Sequence, residues 1–109
     1  MSNAITARKL YEHYIANRKD LADRLLTETF TFSSPRDDRI DKLSYFDRCW
    51  PQSPVFREIA IERIFESGDE VVVGYRAEKI DGGAFRNLEL FRFEDDRISS
   101  VEVYFGRDA

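Results

Sequence analysis

Three observations predict an α+β domain with its helices laid on one face of a mainly antiparallel sheet. The first half of the chain carries apolar residues at helical spacing. The second half carries four strand-length runs rich in Val, Ile, Phe and Tyr. Those runs are separated only by turn chemistry: Ser67-Gly68-Asp69, Asp81-Gly82-Gly83 and Asp95-Asp96. Strands joined by such short connections pair antiparallel, and helices that precede them as a block pack on one face. The 109 residues suit one small domain, spanning residues 1–109.

Residues 6–18 read as a helix. Ala7, Leu10, Tyr11, Tyr14 and Ile15 recur on one side, Arg8, Lys9, Glu12 and Asn17 lie on the other, and Thr6 stands at the N-cap position. The Met-Ser-Asn-Ala start is compatible with a cloning remnant and is set aside. Residues 20–26 predict a second short helix with Leu21, Leu25 and Leu26 as its apolar side. The period then changes to two, and residues 29–33 read as a short strand. Ser34-Pro35-Arg36-Asp37-Asp38 interrupts it, since proline biases Ser34 towards extended geometry and cannot donate to a ladder. Residues 40–50 look helical again, with Leu43, Tyr45, Phe46 and Trp50 for burial, and Pro51 and Pro54 end the segment. Residues 56–66, 70–80, 84–94 and 97–105 form the meander.

Composition excludes several classes. The formal charge of −4 argues against a nucleic-acid binder. One cysteine, Cys49, rules out a disulfide framework, and with a single histidine, His13, no Cys/His metal site is expected. No apolar run reaches a membrane span and no export signal opens the chain, so a cytoplasmic location without membrane contact is expected. Fifteen aromatic residues (nine Phe, five Tyr, one Trp) must line a core, a cavity or an interface.

The element order resembles the cone-shaped nuclear transport factor 2-like (NTF2-like) fold, whose relatives include ketosteroid isomerases and SnoaL-like polyketide cyclases. The resemblance covers nearly the whole chain. Its most specific segment is Leu90-Phe91-Arg92-Phe93-Glu94-Asp95-Asp96-Arg97-Ile98, followed by Val101-Glu102-Val103-Tyr104-Phe105-Gly106. This is similar to the family ending F-x-F-x-x-G-x-I … V-x-x-Y-F-G, although the turn lacks its glycine. Cys49-Trp50-Pro51 and Arg86-Asn87-Leu88-Glu89 also resemble SnoaL-like sequences. The resemblance implies a cavity between the concave sheet face and the helices. One fold hosts many chemistries, so it implies no particular reaction.

Strand alternation sorts the side chains. Phe85, Asn87, Glu89, Phe91 and Phe93 share one face of their strand, with Val101, Val103 and Phe105 from the last strand, and this aromatic-rich set is assigned to the cavity. Leu88, Leu90 and Tyr104 then form an apolar patch on the outer face. Such a patch marks a partner surface, and relatives commonly dimerise there, so a homodimer is expected. Phe30, Phe32, Phe46, Trp50, Tyr75, Phe91, Phe93 and Phe105, with Asn87, are candidates for lining a site for a small apolar molecule. Plain core packing is the competing role for each ring.

For chemistry, the resemblance places Tyr14 on the first-helix tyrosine of ketosteroid isomerases and Glu89 on their acidic hydrogen-bond donor. The proton-moving carboxylate falls on Ser34, which cannot do that work unaided; Asp37 or Asp38 substitutes only if its loop folds inward. Otherwise the Asp37-Asp38-Arg39 cluster is solvated or ion-paired surface. The acid/base carboxylate of polyketide cyclases falls near Val103, and His13 points to solvent or the cavity rim. Glu89 is either a general acid, with Tyr14 and Asn87 as companions, or one half of an ion pair with Arg57, Arg63 or Arg76. Cys49 reads as a small buried hydrophobe. Three functions stay open: an apolar-ligand-binding domain, a cofactor-free acid/base enzyme using Glu89 and Tyr14, and an accessory dimer whose cone is plugged by its own aromatics.

Overall fold

The computed structural model describes residues 2–109. The elements run α1 (Asn3–Ile15), α2 (Lys19–Leu25), β1 (Leu26–Ser34), β2 (Asp37–Asp41), α3 (Lys42–Cys49), β3 (Phe56–Ser67), β4 (Glu70–Lys79), β5 (Ala84–Glu94) and β6 (Arg97–Asp108). The strands form one sheet in the order β2-β1-β6-β5-β4-β3. β1 runs parallel to β6, and every other neighbouring pair is antiparallel. This is the expected α+β architecture.

Local chemistry sets the boundaries. α1 starts one turn earlier than the sequence suggests, because the Ser2 hydroxyl accepts from the Ile5 N–H. Thr6, read as the cap, is instead buried inside the helix. Of the four residues set aside, Met1 lies outside the described residues, Ser2 is this cap, and Asn3 and Ala4 belong to the helix. Asn17, at φ 56°, stops the chain in the left-handed region that short amide side chains tolerate. Leu26, expected at the end of the second helix, opens β1 and is fully buried.

The largest departure lies at Pro35. The segment does not leave the sheet. It turns back as β2, pairing with β1 through Thr31–Asp41, Phe32–Ile40 and Ser34–Asp37. Serine side chains close the turn: the Ser34 hydroxyl accepts from Arg36 N–H, and Ser33 Oγ accepts from the N–H of Arg39, itself at φ 46°. The helix expected from residue 40 therefore begins only at Lys42, capped by Asp41, whose carboxylate accepts from the Ser44 N–H. Leu43, expected to be buried, is 80% exposed on the outer side of that helix, whereas Tyr45 and Trp50 are buried.

The β5–β6 turn closes without glycine. Asp95 and Asp96 both adopt positive φ, 51° and 67°, the geometry that matches the twist of a two-residue hairpin. Near the other end of β6, Gly106 is sterically required. It sits opposite a bulge between Phe85 and Asn87, and a Cβ there would collide with the Arg86 carbonyl oxygen.

Side-chain parity is as alternation predicts. Phe91 and Phe93 are buried beneath the helical layer with Leu26, Phe30, Val71, Val73, Ile98 and Val101, while Leu88 and Tyr104 face outwards, 49% and 54% exposed. No helix among the described residues is long and apolar enough to cross a membrane.

Candidate functional site

The helices and the concave sheet face separate towards one end of the cone and leave a cavity of about 540 Å³. This is within the size range of small-molecule sites, and the cone is not plugged. Eight of the lining side chains are aromatic. One wall is a run of ring contacts, tilted between Tyr14 and Phe56 and edge-on between Phe56 and Phe85, with centroids 5.9 and 5.8 Å apart.

Glu89 stands on the floor of this cavity. β5 alternation turns it inward and the cross-strand register sets Val73 and Val103 beside it. Its carboxylate has two phenolic partners: Tyr75 Oη donates to Oε2 at 2.6 Å and Tyr11 Oη donates to Oε1 at 2.9 Å. Tyr75 arrives from β4 opposite Asn87, and Tyr11 from α1, one turn before Tyr14. The backbone settles the direction of these bonds. Gly106 N–H can only donate, and it does so to Asn87 Oδ1 at 3.0 Å. That leaves Asn87 Nδ2 to donate to Tyr75 Oη at 3.2 Å, so the Tyr75 proton goes to Glu89.

The electrostatics follow from burial. Desolvation raises the Glu89 carboxyl above the usual range, and the hydrogen bonds from Tyr75 and Tyr11 oppose that rise without reversing it. Burial, reinforced by Glu89, pushes both phenols well above their ordinary value. The ion-pair alternative is not what the structure shows: Arg57 and Arg76 both bind Glu78, and no arginine hydrogen-bonds or ion-pairs with Glu89 among the described residues.

Tyr14 is in the cavity wall but does not hydrogen-bond Glu89. Its hydroxyl donates to the Cys49 carbonyl at 3.1 Å, and burial pushes it up to about 12. Tyr11 occupies the place expected of Tyr14. Both share the inner side of α1, so helical spacing alone does not choose between them; the cross-sheet position of Tyr75 does.

A second carboxylate lines the cavity. Ser34 lies two residues beyond the inward-facing Phe32, and its β2 partner Asp37 shares that face, with a side chain only 10% exposed. Asp37, for which the sequence leaves open both an inward-folded loop and a surface position, is folded inward. Its Oδ2 accepts from the Ser34 hydroxyl at 3.1 Å. Arg48 Nη2 lies 2.8 Å from Oδ1, a charge contact whose N–H is not aimed at the oxygen. Asp38 stays at the surface beside Arg39.

Of the remaining candidates, Phe32, Tyr75, Asn87 and Phe105 line the cavity, Phe105 at its rim beneath the Arg36 guanidinium. Phe30, Trp50, Phe91 and Phe93 do not. They are sealed in the core, because α1, α3 and their neighbouring strands close over those positions. Phe46 packs against Tyr45 and Trp50 rather than the cavity. His13 lies in the last turn of α1 and is not part of the wall. Cys49 does line the cavity, and burial raises its thiol to about 11, so it remains protonated and unreactive at neutral pH. Tyr45, Phe56 and Phe85 complete the aromatic lining.

Known proteins carry the same architecture. An NTF2-like protein of unknown function from Cytophaga hutchinsonii superimposes with a TM-score of 0.82 at 21% identity, over 97% of this chain and 91% of that one. An LEH-like epoxide hydrolase from M. tuberculosis gives 0.80 at 21% identity, over 95% and 82%. A computationally designed 17-OHP binder gives 0.77 at 17% identity, over 97% and 95%. Identities this low establish the fold alone. No curated protein matches the chain. Residues 7–101 match the SnoaL-like domain family, and the chain belongs to it.

Proposed function

We propose that the domain binds a small, flat, largely apolar molecule in its cone, with the polar end of that molecule against Glu89. The supporting observation is an open, aromatic-walled cavity of about 540 Å³ whose floor carries a carboxylate held by Tyr11 and Tyr75. Aromatic walls supply most of the affinity by burying apolar surface, and the few convergent polar groups set orientation. The designed 17-OHP binder is a neighbour of the same shape. A thermal-shift screen against steroids, terpenoids, aromatic polyketides and short acyl compounds tests this. At least one class should raise the melting temperature, and Val103→Phe, which fills the cavity from β6, should remove the shift. If no class shifts the protein, or the shift survives the filled cavity, the reading fails.

A second reading rests on Asp37. Two carboxylates face one cavity, Glu89 deep and Asp37 near the strand turn, and a cofactor-free isomerase, lyase or cyclase needs such a pair: one group to take a proton, another to stabilise the developing oxyanion. In this reading Glu89 acts with Tyr11 and Tyr75, and Tyr14 positions the α3 end of the cavity. Turnover lost in both Glu89→Gln and Asp37→Asn at unchanged stability would establish it; turnover retained in either would overturn it.

We also propose that two copies pair through the outer sheet face. Leu88 and Tyr104 are cross-strand neighbours there, and Leu90 continues the patch through Val72 to Phe65, which is 65% exposed. Light scattering at micromolar concentration should give the mass of two chains, and Leu88→Arg should give one. A single-chain mass for the unmodified protein overturns the pairing.

A further inference from the structure

The Glu89 site contains a conflict that its own residues do not resolve. Gly106 fixes Asn87, Asn87 fixes Tyr75, and Tyr75 must donate; Tyr11 donates as well. Both carboxylate oxygens therefore accept hydrogen bonds, the pattern of an ionised group. Burial works against that charge, and no cation lies near enough to offset it among the described residues. The two arginines of the cavity wall are engaged elsewhere, Arg48 with Asp37 and Arg36 over the Phe105 ring at the rim. What surrounds Glu89 instead is aromatic: Tyr11 and Tyr75 with centroids 5.3 Å apart, and Tyr14 one helical turn away. Ring faces attract cations, and an aromatic enclosure closed by one carboxylate is a combination that suits an organic ammonium group.

We infer that the ligand of this cavity is an amphipathic amine: a flat apolar body carrying a cationic nitrogen that pairs with Glu89 among the Tyr11, Tyr14 and Tyr75 rings. This inference rests on the cavity being a ligand site and names the chemical class it takes. The cation supplies the one charge the floor lacks, and the tyrosine donors already hold the carboxylate in position to receive it. A neutral alcohol of the same shape loses the charge pairing. A carboxylate ligand meets repulsion from Glu89.

Calorimetric titration with naphthylmethylamine and with its neutral isostere naphthylmethanol tests the inference on the intact chain. The amine should bind about tenfold or more tighter than the alcohol. Glu89→Gln should abolish that preference, weakening the amine far more than the alcohol. In the unmodified protein, acidification that protonates Glu89 should weaken the amine but not the alcohol. The groups facing Glu89 are Tyr11 and Tyr14 from α1, Tyr45 and Cys49 from α3, Tyr75 from β4 and Asn87 from β5, none of which gains or loses a proton between acid and neutral pH, and Asp37 lies across the cavity beside Arg48. That measurement needs no variant to fold. Equal affinities, or an amine preference that persists in Glu89→Gln and at low pH, would overturn the amine assignment and leave the cavity as a neutral-ligand site. If neither probe binds and no class in the wider screen does, the ligand-site reading itself falls.

Discussion

The two ends of β5 face the same side of the same sheet, yet one is sealed and the other open. At Phe91 and Phe93 the helical layer closes down on the strand, and the rings join Phe30, Leu26 and Ile98 in a packed core. At Glu89, Asn87 and Phe85, two to eight residues earlier on the same face, the helices stand away and a cavity remains. Sequence alternation treats all five positions alike. The difference comes from the layer above: Tyr11 of α1 packs edge-on against Phe91 at one end, whereas at the other α3 and the β1–β2 hairpin contribute Tyr45, Cys49 and Asp37 to the wall of an open space. One strand thus serves as both foundation and binding floor, and stability should concentrate at one end and ligand recognition at the other.

The sharpest break of this contrast is Phe91→Ala. It empties a fully buried ring site and should cost about 3–5 kcal/mol, read as a lower midpoint in urea denaturation. Phe85→Ala, at the partly buried open end, should cost about half as much or less, because the cavity already leaves one side of the ring without packing partners. Equal losses would mean that the two ends are not energetically distinct.

Gly106→Ala tests the link between the backbone and the site. The new Cβ collides with the Arg86 carbonyl, so the bulge must shift at a cost of roughly 1–3 kcal/mol. The bond from Gly106 N–H to Asn87 loosens with it. The expected readout is lower stability together with altered Asn87 amide signals in nuclear magnetic resonance. A variant with unperturbed Asn87 would sever the proposed relay from Gly106 to Tyr75.

A smaller effect distinguishes the open end by pH. The native Glu89 pKa is raised above the unfolded value of 4.5, so the folded state holds the proton more tightly. Its contribution to stability is complete below the unfolded value and is lost as pH rises through the folded one. Relative to Glu89→Gln, the unmodified protein should therefore lose stability as pH rises above the unfolded value of 4.5 and level off once Glu89 is ionised in the folded state as well. Parallel stability curves for the two proteins would contradict a raised native pKa. The smallest effect is expected at Leu43→Ser, on the solvent side of α3, which should stay within about 0.5 kcal/mol of the parent.

Much of the candidate site is legible in the sequence. Glu89 and Asn87 emerge from alternation alone, because β5 is long and its rings mark the inner face. Tyr75 emerges as a cavity candidate, but its bond to Glu89 depends on the β4–β5 register. Resemblance favours Tyr14 over Tyr11, whereas the structure sets Tyr11 against Glu89 and Tyr14 against the Cys49 carbonyl, because a helix turn is a small step in sequence and a large one across a cavity. For Asp37 the sequence leaves both an inward and a surface position open. Only the return of β2 against β1 carries the inward parity of Phe32 across to Asp37.

By itself, the sequence determined the helix block, the meander, the inner and outer faces of β5 and β6, and the presence of a carboxylate on an aromatic face, since these depend on local periodicity and turn chemistry. The tertiary structure alone decided which rings are core and which are cavity, that Tyr11 and Tyr75 rather than an arginine hold Glu89, and that Asp37 turns inward. Those outcomes depend on distances between segments far apart in the chain, which no local pattern encodes.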